Sequence, residues 1–161
     1  MMKIGVVSDT HCHAIPKSLL INLKDVDLII HAGDFCSSAE VKIFEKVNTL
    51  VAVHGNMDEE DVCKRFPVKQ VLTYEGVRIG VCHGEGSRDE VPDRVKEIFK
   101  KDTPDVVIFG HSHLPYNERH GKTLYFNPGS PNDLVISPYQ SYGILEVHDG
   151  RAKGSIIKIE D

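Results

Sequence analysis

Short apolar runs alternate with polar, glycine-rich turns along the whole chain. Runs rich in aliphatic and β-branched residues predict strands at 3–8, 27–32, 50–54, 68–74, 77–82, 105–109, 115–120, 123–126, 142–148 and 152–159. Helices are predicted at 16–23, behind Pro16, and at 38–48, capped by Ser37 or Ser38. A helical turn over 58–64 has the acidic start that the helix dipole favours. A further helix at about 89–100 places Val91, Val95, Ile98 and Phe99 on one face. Tyr74-Glu75-Gly76, His120-Gly121-Lys122 and Asp149-Gly150-Arg151 read as hairpin turns. Alternating strand–helix units followed by a run of hairpins predict an α+β fold. Two mixed sheets would pack together, inner strands partly parallel, with helices outside.

The length of 161 residues fits one domain spanning 1–161. Apolar residues make up 40%, enough for a core. No run approaches the ~18–20 consecutive apolar residues of a membrane-spanning helix. The opening MMKIGVVSDTH runs straight into a charged motif, unlike a signal peptide, so a cytoplasmic location is expected. Cys12, Cys36, Cys63 and Cys82 form no CxxC pair, and in a reducing compartment they are expected as free thiols. The net charge of −5, without a basic cluster, argues against a nucleic-acid binder. The charge runs Asp58–Asp61 and Lys96–Asp102 are expected to be exposed helix faces.

The polar residues that end the apolar runs carry the chemistry. Asp9 and His11 follow KIGVVS, Asp34 follows DLIIHAG and Asn56 follows LVAVHG. His83 follows VRIGVC, and His111 and His113 follow DVVIFG. In an open sheet, ligands bind beyond the carboxyl ends of the strands, where all of these residues would lie. Asp9/His11 and His111/His113 are i, i+2 pairs, whose side chains point the same way in extended backbone. Glycine beside Asp34, Asn56 and His83 would allow sharp turns and close backbone approach. The donors are two carboxylates, one amide oxygen and four imidazoles. Such a set suits manganese, iron, cobalt, nickel or zinc rather than calcium. It is too large for one ion and fits two sharing a carboxylate, as in sites that cleave phosphate esters.

The ordered set D-x-H, G-D, G-N, H-G, G-H-x-H resembles the calcineurin-like metallophosphoesterases. The short length, the variant Gly55-Asn56-Met57-Asp58 and the closing Asn127-Pro128-Gly129-Ser130 resemble their small prokaryotic phosphodiesterase branch. The resemblance covers roughly residues 3–130 and implies a four-layer αββα sandwich. It implies that Asp9, His11 and His113 bind one ion, that Asn56, His83 and His111 bind a second, and that Asp34 bridges both. It further implies a phosphodiesterase using two divalent ions, manganese first, and a bridging hydroxide.

Many members of that family carry a histidine after the Gly-Asn pair to protonate the leaving group. Met57 stands there in this chain and cannot donate a proton. His13 is the candidate substitute acid, and Arg88 and Asn56 are candidate substrate contacts. His31 and His54 are expected to be buried or to support the ligands. A phosphomonoesterase or nucleotide hydrolase is the alternative within the same chemistry. A protein-binding scaffold resembling a retromer subunit is the alternative outside it, although the scaffold's mark, loss of ligand histidines, is missing. A small phosphoester is the expected partner; a homo-oligomer is compatible with the sequence.

Overall fold

The computed structural model describes residues 1–160. Its first sheet contains β1 (Met2–Val7), β2 (Leu28–His31), β3 (Leu50–Ala52), β9 (Ser141–His148) and β10 (Arg151–Lys158), in the order β10-β9-β1-β2-β3. Its second contains β4 (Lys69–Tyr74), β5 (Val77–Cys82), β6 (Val106–Ile108), β7 (Tyr116–His120) and β8 (Thr123–Asn127), in the order β4-β5-β6-β8-β7. In each sheet three adjacent strands are parallel and the remainder antiparallel. Helical crossovers join the parallel pairs β1/β2, β2/β3 and β5/β6, β6 reaches its parallel neighbour β8 through β7, and two-residue loops join the hairpins β4/β5, β7/β8 and β9/β10.

The inner faces meet in an apolar core. Ile4, Val6 and Ile30 of the first sheet lie in one cluster with Ile79, Val106, Ile108 and Phe126 of the second. Each such side chain, fully buried, contributes about 1.5–3 kcal/mol. On the outer face of the first sheet lie α1 (Lys17–Asn22), α2 (Ser38–Val47) and α3 (Glu60–Arg65), through Leu19, Val41, Phe44 and Val62. On the outer face of the second lies α4 (Val91–Ile98), whose Val91 and Val95 join Phe99 against Val107 and Phe109. The layers run helix, sheet, sheet, helix, as expected.

The helices are shorter than the sequence predicts, whereas β5 has the predicted bounds and β8 and β9 are each one residue longer. The helix predicted at 16–23 is α1 followed by a 3-10 turn at Leu23–Asp25. Ser37 occupies the cap position of α2, but its side chain makes no capping bond. No helix among the described residues is long and apolar enough to cross a membrane.

Two expectations are corrected. Cys12 and Cys36 are not free thiols but are joined by a disulfide, leaving Cys63 and Cys82 free. Left-handed turns at Cys12 (φ 58°) and Cys36 (φ 88°) bring their Cα atoms to 5.5 Å, within disulfide range. Asp58 is not part of an exposed helix face. Its carboxylate accepts the backbone N–H groups of Asp34 (2.9 Å), Cys36 (2.7 Å) and Gly55 (2.7 Å). It therefore closes two ligand-bearing turns onto each other, and α3 begins only after it.

Candidate metal centre

Because β1–β3 run parallel, as do β5, β6 and β8, their carboxyl ends share one edge of the molecule. Asp9 and His11 stand beyond β1, Asp34 beyond β2, Asn56 beyond β3, His83 beyond β5, and His111 and His113 beyond β6. The i, i+2 pairs do not converge by strand alternation. Asp9 (φ 60°), His11 (φ 49°), Asp34 (φ 61°), His111 (φ 69°) and His113 (φ 61°) are all left-handed. Such backbone costs a non-glycine residue about 1 kcal/mol or more and persists only where the surroundings hold it. Here Asp9 N–H donates to Gly33 O (3.0 Å), His11 N–H to Asp34 O (2.9 Å) and His111 N–H to Asp9 Oδ2 (3.0 Å).

Glycine is required where the turns touch. A Cβ at Gly55 would overlap the Asp34 carboxylate, and one at Gly110 would come within 2.6 Å of Asp9 Oδ2. The strand-end glycines thus make room for the carboxylates of neighbouring turns.

Asp9 is fully buried. Its Oδ2 accepts from Ser8 Oγ (2.7 Å) and the His111 N–H, while Oδ1 has no hydrogen-bond partner. Around Oδ1 stand His113 Nε2 (3.4 Å), His11 Nε2 (3.5 Å) and His83 Nε2 (3.7 Å). Asp34 Oδ2 lies 3.1 Å from His83 Nε2 and 3.5 Å from His11 Nε2, and its Oδ1 accepts the Met57 N–H (2.8 Å). Potential ligand atoms therefore gather in two overlapping groups, Asp9/His11/His113 and Asp9/Asp34/His83, each within 4.8 Å.

The imidazoles are oriented from behind. His83 Nδ1 faces Ala32 O at 2.8 Å and donates to it, turning Nε2 to the carboxylates. His113 Nδ1 is bonded to Asp133 Oδ2, which likewise frees Nε2. His111 is set apart, with Nδ1 3.2 Å from Asn56 Oδ1 and Nε2 2.9 Å from Gly86 O. Burial would raise the Asp9 carboxyl pKa, but His83, His11 and His113 hold it far below the usual range. Asp34 is lowered too, because His83 and the Met57 N–H outweigh its burial. Burial would lower His83, yet Asp9 and Asp34 push it up to about 9. His113 is likewise carried up to about 8, against its burial, by Asp9 and Asp133.

These residues fit a cation. Asp9 Oδ1 and His83 Nε2 are buried without a hydrogen-bond partner, a state that costs about 1–3 kcal/mol for each group. His11 and His113 turn their Nε2 atoms to within 3.0 Å of each other beside the same carboxylate. Cations at the two overlapping groups would give these atoms partners.

The other predicted residues are placed as follows. His13 is exposed and lines a cleft beside His11. Arg88 is exposed and lines a second cleft with Asn56 and Met57. Asn127 is buried and donates to Gly110 O (3.0 Å), and Ser130 Oγ donates to Asp9 O (2.8 Å). His31 is buried and lies beside Thr10 Oγ1 (3.2 Å), not beside a ligand. His54 Nδ1 lies near Gly55 O (3.4 Å). Sequence reasoning did not single out Asp133, Ser8 or Ala32, which orient ligands. Only Asp133 left a trace, in a polar Pro131-Asn132-Asp133 turn after the closing motif.

Residues 2–150 match the model of the calcineurin-like phosphoesterase superfamily domain. The chain is 35% identical to a probable metallophosphoesterase, MJ0623, of Methanocaldococcus jannaschii, over 99% of this chain and 83% of that protein. It is 32% identical to the phosphodiesterase MJ0936 of the same organism, over 80% of this chain and 83% of that protein. Its fold is also that of wild-type Vps29 from Entamoeba histolytica, solved with Zn²⁺. The TM-score there is 0.78 and the identity 23%, over 98% of this chain and 99% of that one.

Proposed function

Because the chain belongs to the calcineurin-like phosphoesterase superfamily, whose members are metal-dependent phosphoester hydrolases, we propose that it is a phosphodiesterase with a dinuclear metal centre. Asp9, His11 and His113 would hold one ion, and Asn56, His83 and His111 the other. Asp34 would be shared, reaching both histidine groups as it does. Manganese is the proposed metal. Bound there, two divalent ions supply the Lewis acidity that activates a water nucleophile and offsets charge on the phosphoryl oxygens.

The chain's own residues do the rest. Ala32 O and Asp133 fix the tautomers of His83 and His113, so their Nε2 atoms stay free of protons once a cation competes for them. Arg88 and Asn56 are the proposed substrate contacts, Arg88 offering a guanidinium to phosphate oxygens from the cleft wall. Met57 carries no proton to give, so the proposed site lacks the usual leaving-group acid, and His13 is the candidate substitute that His13→Ala tests.

The observation that carries this reading is the pair of unpartnered buried atoms, Asp9 Oδ1 and His83 Nε2, inside the ligand cluster. Its test is turnover by metal-stripped protein reloaded with Mn²⁺, Ni²⁺ or Zn²⁺, on a panel of phosphate mono- and diesters. Diester hydrolysis restored by metal is the expected result. Preference for monoesters would favour the phosphomonoesterase alternative. Full metal binding without turnover of any ester would favour a retromer-subunit-like scaffold, for which the Vps29 likeness supplies the fold alone.

A further inference from the structure

Two clefts meet at the ligand cluster. One, of about 900 Å³, opens toward Gly86, Ser87 and Arg88. The other, of about 590 Å³, runs beside Leu134, Val135 and Ile136. His11, His113, Met57 and Ile136 line both. The first wall carries Arg88 beside Asp89, whereas residues 134–136 give the second an apolar stretch.

That second wall departs from an ordinary surface. Leu134 is 72% exposed, Val135 94% and Met57 60%, all at the rim of a highly charged site. An apolar patch rimmed by polar residues marks a place where something binds. The loop that carries it is firmly anchored. Asp133 Oδ1 accepts the N–H groups of Val135 (2.7 Å) and Ile136 (3.1 Å), while its other oxygen bonds His113. Asn132 Nδ2 donates to Thr10 O (2.9 Å), between Asp9 and His11. The backbone is thus pinned to the turns of both predicted ligand pairs while the apolar side chains are left bare. A wall held this way loses little freedom when a ligand covers it.

We infer that the cleft along Leu134, Val135 and Ile136, with Met57 at its mouth, receives an apolar alkyl or aryl arm of the phosphoester. Polar groups of the substrate lie on the Arg88 side. The inference rests on the phosphoester-hydrolase reading above and narrows its substrate to an ester with at least one apolar arm. A phosphate held at His11 and His113 stands where the two clefts join, so a diester has one cleft on either side of it. The Met57 thioether is also a good neighbour for an aryl ring. The residue that removes a proton donor thereby adds apolar surface.

The test is calorimetric titration of alkylphosphonates, from methyl to hexyl, into the Mn²⁺-loaded protein. The dissociation constant should fall at least about tenfold along the series, well inside what burial of the added methylenes allows. Leu134→Ser combined with Val135→Ser should remove that gain and leave methylphosphonate binding unchanged. Both side chains are largely exposed, so the double variant should fold, and its melting curve checks this. Ile21→Ser, at a 59% exposed position on α1, should leave the whole series as in the parent. Methylphosphonate binding without a chain-length gain would overturn the inference alone. So would a gain that survives in the double variant. If methylphosphonate itself fails to bind the metal-loaded protein, the phosphoester reading falls and this inference falls with it.

Discussion

At the carboxyl ends of β1, β2 and β5, Asp9, Asp34 and His83 come together in the protein's interior. At the opposite end of the same sheets, Glu75, His148 and Asp149 gather at the tips of two hairpins. Both clusters pair carboxylates with imidazole, and in both the backbone enters the left-handed region. At the far end that geometry is the ordinary need of a two-residue hairpin, with Glu75–Gly76 at φ 50° and 76° and Asp149–Gly150 at 48° and 75°. The side chains there are 43%, 58% and 80% exposed, open to solvent and paired with one another. At the near end no hairpin calls for the strain, burial removes water, and two donor atoms are left without partners. Residue types alone do not make a site. Burial that leaves polar atoms unserved makes one, because only a ligand can then restore the balance.

The largest effects should follow from removing the buried charge. Asp9→Asn and Asp34→Asn, each nearly isosteric, should abolish metal retention and hydrolysis together. The cluster holds only two carboxylates, and each lies beside both His11 and His83, so either change removes half of the negative charge that faces the ions. Metal analysis by plasma emission, run beside diester assays, checks this. A variant that kept full metal content and normal turnover would place the centre elsewhere. The corresponding far-end changes, Glu75→Gln and Asp149→Asn, should alter neither quantity.

A smaller loss should follow from removing support rather than ligand. His113→Ala should strip metal, whereas Asp133→Asn leaves the ligand in place and only unfastens its ring. Such outer partners are worth about 10–100-fold in metal affinity. Competition with a fluorescent chelator would rank the two variants. Equal affinities for Asp133→Asn and the parent would show that His113 is held by packing instead.

The contrast between the ends also marks what the sequence could and could not tell. Hairpins are local, so Glu75-Gly76 and Asp149-Gly150 were readable from neighbouring residues. The strand-end ligands were readable because each stands directly after an apolar run, and parallel topology does the rest. Asp133, Asp58 and the Cys12–Cys36 bond were not readable as partners. Asp133 acts on His113 across 20 residues and Asp58 on Asp34 across 24, and the bonded cysteines are also 24 apart. Only the packing of turns from different strands brings them together. The left-handed ligand backbones escaped for a related reason. They are imposed by hydrogen bonds to other strands' turns, and nothing in Asp or His next to Thr or Ser announces them.

A modest gain should follow at the one near-end position where a proton donor is missing. Met57 lies at the mouth of both clefts, and its N–H is already tied to Asp34. Met57→His would add an imidazole there without moving the turn. General acid catalysis is worth about 10²–10⁴-fold when aligned, so partial alignment should give roughly tenfold on alkyl leaving groups. Aryl leaving groups of low pKa need little help and should change less. A plot of log kcat/KM against leaving-group pKa should therefore be steep in the parent and shallower in Met57→His. If the parent's plot is already flat and His13→Ala steepens it, His13 is the acid and Met57 is only a wall.

The smallest effect, and the one that separates the two ends most cleanly, is on stability against pH. In the metal-free protein His83 titrates at about 9 and His113 at about 8, both above the ordinary 6.5. Folding thus favours their protonated forms. That contribution is fully present below pH 6.5 and is lost as pH rises through 8 and 9. In effect the two imidazoliums occupy the electrostatic role of a cation. A metal ion competes with their protons, so its affinity should rise across the same window. The melting temperature of chelator-treated protein should fall from pH 6.5 to 9, while that of Mn²⁺-saturated protein should hold or rise. At a hundredfold excess over Kd, mass action adds about 2.7 kcal/mol, which corresponds to several degrees for a chain of this size. The gap between the two melting curves should therefore widen with pH in the parent and in His148→Ala alike, because His148 lies at the solvated end. A gap independent of pH would mean that metal does not displace protons from His83 and His113, and the buried end would lose the property that distinguishes it from the exposed one.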